Sequence, residues 1–235
     1  ALERAERGKC MRRLCGMFRD AMSPVIESIV LERAVPDDER VVKLQHVGGV
    51  AGGDKYAIGN IFLKYCGSAS AVSPKLYGDH IWALKSATNE LKGLNALIRA
   101  GVPHLHVPLG MTATFLGQRL WVCSRLPIDG ARTLRFGSQN AGSTVKTDDA
   151  ESRIMAAKAA GILNLKPHKV GKHVLPTPVD LEIHHGDDGR YYVVDTARLF
   201  PPDANPASGL PRNYHLHKNL RPERVHDNTE CALSS

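Results

Sequence analysis

From Ala1 to about Val35 the apolar positions fall at helical spacing, with Leu2, Ala5, Cys10, Leu14, Met17 and Phe18 near one face and Arg and Glu between them. Ser23-Pro24 is a helix start signal, serine as N-cap and proline at the first helical position. The pattern therefore predicts two helices, the second carrying Val25, Ile26, Ile29 and Val30 and stopping at Pro36-Asp37-Asp38. The spacing then changes. Val41 to Leu44 reads as a short strand, Gly48 to Asp54 as a glycine-rich turn, and Tyr56 to Tyr65 as a second strand. A polar stretch from Gly67 to Gly78 reads as an exposed loop. From His80 to Ala100, Ile81, Leu84, Ala87, Leu91, Leu94, Leu97 and Ile98 mark a helix that Gly101 closes.

Two further strands are predicted at Gly110–Phe115 and Arg119–Ser124. Thr133 to Val145 reads as turns around a short strand, Asp148 to Leu163 as an alanine-rich helix, and the following stretch to Pro178 as a loop. Val179 to His184 alternates as a strand does, and the Asp187-Asp188-Gly189 turn folds it back onto Tyr191 to Asp195. The tail beyond Leu199 is rich in Pro, Asn and His, with a closing helix expected near Tyr214 to Leu220.

Hydrophobic content of 43% and charged content of 23% fit a folded protein and exclude wholesale disorder. No run of about eighteen uncharged apolar residues occurs, so no membrane-spanning helix is expected. The net charge of +7 favours anionic partners such as phosphates, nucleotides or RNA. Five cysteines, an odd number without Cys-x-x-Cys spacing, argue against a disulfide framework or a cysteine zinc site, and a reducing cytosol fits best.

A glycine-rich turn, a strand ending in lysine, a helix with an inward glutamate and two more strands follow the order of a protein-kinase-type small lobe. In that arrangement the turn's backbone amides, Gly52 and Gly53 among them, cover nucleotide phosphates. Lys64 contacts the phosphates and Glu90 holds it by an ion pair; the bland alternative has both side chains in solvent. In the second half, Asp180, Glu182 and His184 fall at i, i+2 and i+4 on one strand face, and Asp195 lies on the return strand. Glu182 and Asp195 are candidate magnesium ligands, and Asp180, Glu182 and His184 are candidate catalytic groups. Arg198 pairs with a carboxylate or contacts phosphate. An amphipathic edge hairpin with its polar side in water explains the same pattern. Zinc is disfavoured, because no His-Glu-x-x-His or other standard ligand spacing occurs.

The same residues carry a family resemblance. Glu90-Leu-Lys-Gly-Leu-Asn95, Thr133-Leu-Arg-Phe-Gly-Ser138, Pro178-Val-Asp-Leu-Glu-Ile-His184 and the run from Asp188 to Pro202 resemble successive blocks of the CLU domain, the central domain of clustered-mitochondria proteins. Ile183 stands where that family usually has glycine. The resemblance implies a cytosolic, mitochondria-associated protein that keeps mitochondria distributed and associates with mRNA or ribosomes. A looser similarity links the acidic hairpin to the succinocarboxamide-forming purine synthetase, and so to an ATP-binding architecture shared with protein and inositol-phosphate kinases.

The expected fold is thus an α+β domain of two kinase-like lobes behind N-terminal helices. Residues 1–40 form the helical segment, 41–126 a small β-rich lobe with one helix, and 127–235 a larger lobe bearing the hairpin. Two functions stay open: a CLU-type module with a nucleotide cleft, and an active kinase using ATP and Mg2+ on an unknown acceptor. A nucleotide-binding pseudo-enzyme combines them.

Overall fold

A computed structural model describes residues 2–36, 38–43, 45–47, 55–66, 77, 79–203 and 213–234. The expected glycine-rich turn, with Gly52 and Gly53, and most of the polar loop after Cys66 lie outside the described residues.

The chain opens with one helix where two were expected: α1 runs from Leu2 to Leu31 with Pro24 inside it. Proline removes the amide that would bond back to residue 20 and crowds the preceding turn. The helix continues because its C-terminal half is held by packing. Ile26, Ile29 and Val30 are buried against Leu63, Tyr65, Leu120 and Val122, and burying each such aliphatic side chain contributes about 1.5–3 kcal/mol. The predicted strand at Val41 is also absent, Val41 being exposed; the strand β1 comes later, at Gln45–His46.

The run expected as one strand folds into a hairpin, β2 (Lys55–Ile58) and β3 (Ile61–Cys66). Gly59, at φ 52, makes the turn with Asn60, and only a residue without Cβ enters that backbone region at little cost. After them come α2 (His80–Ala100), β4 (Leu105–His106), β5 (Gly110–Phe115) and β6 (Gln118–Ser124). The α2 bounds match the periodicity. Asp79 caps its start by accepting from the Ile81 amide at 2.6 Å, and Gly101 ends it in the left-handed conformation.

A five-stranded antiparallel sheet in the order β1-β2-β3-β6-β5 forms the front of the molecule. Strand alternation gives it two buried faces. Leu63, Tyr65, Leu120 and Val122 meet α1, whereas Phe62, Cys66, Trp121 and Cys123 meet Ala87, Leu91 and Leu94 of α2. The N-terminal helix α1 therefore covers one of the two faces of this sheet.

The back of the molecule contains a short helix α3 (Gly130–Thr133), β7 (Leu134–Phe136), α4 (Ala150–Ile162), β8 (Leu165–Lys166), β9 (His168–Val170), β10 (His173–Leu175), β11 (Glu182–His185) and β12 (Tyr191–Val194). A 3-10 turn, Thr196–Arg198, follows β12. The expected closing helix is reduced to another such turn, Tyr214–Leu216, before α5 (Pro222–His226) and β13 (Leu233–Ser234). The stretch expected as a loop before Pro178 holds the β9–β10 hairpin, turned at Gly171.

The second sheet has the order β4-β12-β11-β7, with β4 parallel to β12. Its core joins Phe136, Leu181, Ile183 and Val193 to Met155, Ala156, Ala159 and Ala160 of α4 and to Ala96 and Leu97 of α2. Ile183, the residue that departs from the resembled pattern's glycine, is fully buried in this core. Thus α2 packs against both sheets, and β4, from within the range expected as a front lobe, completes the second sheet.

Candidate functional site

The site is assembled where α2 and the front sheet meet the end of β12. Register places Lys55 of β2 directly opposite Lys64 of β3, and Lys64 opposite Trp121 of β6. The two lysines therefore sit side by side on the sheet face toward α2. Lys64 was expected here; Lys55 was not singled out, and its signal was the antiparallel pairing, invisible while Tyr56 to Tyr65 read as one strand. Both ammonium groups are within electrostatic reach of Asp195; Lys64 also feels Glu90, and Lys55 feels Glu182.

The lysines respond oppositely. Burial, then the like charge of Lys64, pull the Lys55 ammonium below its ordinary value. Burial pulls Lys64 down too, but Tyr77, Cys66, Asp195 and Glu90 together hold it above the usual range. Lys64 is the firmer cation of the pair.

Asp195 ends β12 with φ 56 and ψ 56, a left-handed backbone that Asp and Asn tolerate better than other side-chain-bearing residues. It keeps exposed surface while protein crowds around it. Burial first, and then the neighbouring Glu182 charge, push its carboxyl upward, against the pull of Lys64, Lys55 and Arg198.

Glu90 does not close the expected ion pair with Lys64. Its Oε1 accepts the Thr196 amide at 3.0 Å, and the Thr196 hydroxyl lies 2.7 Å from the Glu90 carbonyl and 3.1 Å from Oε1. Burial and the Asp195 charge push the Glu90 carboxyl up to about 7. A carboxyl raised in the fold from 4.5 to about 7 favours the native state in acid, and that contribution is lost as pH rises through about 7. One turn along α2, a Cβ on Gly93 would stand 2.2 Å from the Thr196 carbonyl oxygen. The helix can dock on the 3-10 turn only because residue 93 has no side chain. This contact fixes Asp195 beside the lysines.

The other acidic candidates are placed less openly. Asp180 is in a turn before β11, not on the strand, and its carboxylate is ion-paired with Arg198. Burial pushes the Asp180 carboxyl up while Arg198 pulls it down. With Oδ2 taken by the guanidinium, Asp180 is a structural partner and a poor general base.

Glu182 and His184 share a face of β11, as expected, and both are buried. His184 Nε2 lies 2.8 Å from Glu182 Oε2, and Nδ1 lies 2.9 Å from Thr133 Oγ1. With the proton on Nε2, the ring donates to the carboxylate and accepts the threonine hydroxyl. Thr133 also accepts the Asp129 amide at 2.9 Å. The hydroxyl–imidazole–carboxylate row thus ties the start of β7 to β11. Thr133, at 2% exposure, has no access for a substrate, so the row fastens the fold. The Asp187–Asp188 pair is turn chemistry, as expected: Asp188 Oδ2 accepts the Tyr192 hydroxyl at 2.6 Å.

Among the described residues no three His, Cys, Asp or Glu side chains converge as a metal site. No helix among them is long and apolar enough to cross a membrane.

The CLU family model, described as clustered mitochondria, matches residues 1–205. The chain is 31% identical over 130 residues to the clustered mitochondria protein of Arabidopsis thaliana, covering 51% of the chain and 9% of that protein. It is 29% identical over 164 residues to the homolog of Brugia malayi, covering 60% and 11%, and 25% identical over 145 residues to the human homolog, covering 56% and 11%. The chain thus spans 9–11% of the length of these relatives. No solved structure matches it.

Proposed function

The chain belongs to the clustered mitochondria (CLU) family, and from that premise we propose that it is the module of a protein acting in mitochondrial distribution, with a cleft between its lobes that takes nucleotide phosphates. One observation carries the cleft: Lys55 and Lys64, paired across β2 and β3, face the Asp195 carboxylate at the end of the back sheet. Adjacent ammonium groups repel each other, and an anion bearing two negative charges relieves that repulsion. The order of sheet, helix and acidic hairpin along the chain supports the same reading.

Magnesium fits this cleft in a limited way. It prefers oxygen ligands and commonly takes one or two carboxylates plus phosphate oxygens. Asp195, with the oxygen of Glu182 that His184 leaves free, would hold it, and the ion would neutralise phosphate charge. Binding without turnover is the better-supported activity, because Asp180 is paired with Arg198 and His184 is enclosed.

The test is thermal denaturation of the full chain with millimolar ATP and MgCl2. A ligand at about one hundred times its Kd stabilises by about 2.7 kcal/mol, a rise of several degrees in a domain of this size. Lys64→Met and Asp195→Asn are expected to remove the rise while keeping the unliganded melting temperature within about 2 °C of wild type. An unchanged melting temperature of the wild-type chain with ATP counts against the cleft.

A second reading, association with RNA or ribosomes, has its own support. Between Glu151 and Asp180 there is no acidic residue, while Arg153, Lys158, Lys166, Lys169 and Lys172 are basic, and Lys166, Lys169 and Lys172 are exposed on or beside the β9–β10 hairpin. Binding of single-stranded RNA by this surface is expected to fall steeply with salt and to be lost in the Lys166/Lys169/Lys172→Glu triple variant. Salt-insensitive binding, or full binding by the variant, excludes this surface.

A further inference from the structure

A C-terminal strap from Asn213 to Leu220 crosses α2 next to the cleft, built from none of the residues assigned to it. Asn89 Nδ2 of α2 donates to the His217 carbonyl at 2.9 Å. The Asp203 amide donates to the Lys218 carbonyl at 2.7 Å and the Leu220 amide to the Pro201 carbonyl at 2.8 Å. Asn219 Nδ2 donates to the Ala197 carbonyl at 2.8 Å. The strap therefore joins α2 to the 3-10 turn that follows Asp195.

At its centre His217 has no accessible surface. Its ring stacks on Trp82 of α2, with centroids 4.5 Å apart and planes 15° from parallel. Neither ring nitrogen has a hydrogen-bond partner among the described residues. Among the described residues, the charged and titratable groups that act on it are Lys85 from α2 and Lys218 and His215 from the strap itself. None is an acid. A neutral imidazole tolerates this place as a flat, partly apolar ring; an imidazolium finds two unmet donors and a surround of like charge. Burial, followed by Lys85, Lys218 and His215, accordingly pulls the ring below its ordinary value of 6.5.

We propose that His217 is a pH-operated latch: neutral, it seats the strap on Trp82, and protonated, it carries the strap away from α2 into water. A group held below its free value is neutral in both folded and unfolded chains above that value, and its contribution to stability falls as pH drops below 6.5. Glu90 has the opposite sign, so strap loosening in acid does not arise from it. Because the strap also holds Ala197 and Pro201, its release relaxes the turn that positions Asp195. The latch is independent of whether the cleft takes a nucleotide.

Hydrogen exchange of the full chain, corrected for intrinsic rate, decides it. Between about pH 7.5 and about pH 5.5, amides of His217, Lys218 and Leu220 are expected to lose about tenfold in protection, while α4 amides do not change. His217→Phe preserves the stack without a titrating group and is expected to abolish the pH response of the strap. Equal strap protection at both pH values in the wild-type chain, or an equal loss in His217→Phe, overturns the proposal. If that variant does not fold, an NMR titration of wild-type His217 decides: ring and strap signals are expected to move together. A ring that titrates near 6.5 with the strap signals unmoved overturns it.

Discussion

Gly93→Ala is expected to lower the melting temperature by roughly 6–12 °C, as followed by circular dichroism. The added Cβ would meet the backbone carbonyl of Thr196 at 2.2 Å, and neither main chain can rotate out of the way as a side chain could. Relief requires α2 to withdraw from the 3-10 turn. That movement stretches the bonds from the Thr196 amide and hydroxyl to Glu90 and opens the packing beneath them. Overpacking of this kind costs about 3 kcal/mol, and a domain of this length loses about 2–4 °C per kcal/mol. The same substitution is expected to weaken any ligand response of the cleft, since Asp195 rides on that turn. A change of under about 2 °C would mean that α2 and the turn are not held at this distance in solution.

The second large effect belongs to the buried imidazole of β11. His184→Leu is expected to cost about 3–5 kcal/mol at neutral pH, read from urea unfolding. Leucine fills most of the space, so the loss is chiefly electrostatic. Glu182, at 6% exposure, loses the ring that meets its Oε2 at 2.8 Å, and among the described residues a Gln139 contact at 3.4 Å is all that remains to that oxygen. Replacing both partners, His184→Leu with Glu182→Leu, is expected to recover most of the loss. A double variant as unstable as the single one would show that shape, and not the stranded charge, sets the cost.

Local signals were readable in the chain and long-range ones were not. The α2 helix was legible to its ends because an apolar repeat and a terminal glycine report on the same few residues. The β11–β12 pairing was legible too, because its turn residues lie between its strands, although β11 starts at Glu182 and not at the expected Val179. In contrast, α1 was split at Pro24 because a local start signal outweighed packing supplied by strands far along the chain. The β2–β3 hairpin was missed at Gly59-Asn60, a turn dipeptide hidden within an apolar run. At the site, Lys64, Glu90 and His184 were singled out by residue type and spacing. Their partners were out of view: Lys55 follows from strand register, Thr196 from helix docking, and Thr133 from a contact between elements distant in sequence.

The bond between Glu90 and Thr196 spans 106 positions, and this bears on how the molecule is made. During synthesis at about 5–20 residues per second, α2 emerges roughly 5–20 s before the turn that satisfies its inward carboxylate. Throughout that interval a nascent chain carries a helix with one flank unclothed, and β4 waits almost as long for its parallel mate. Final closure of the interior therefore waits until the turn after β12 has been made, and the half-made polypeptide is a natural client for a chaperone at the tunnel exit.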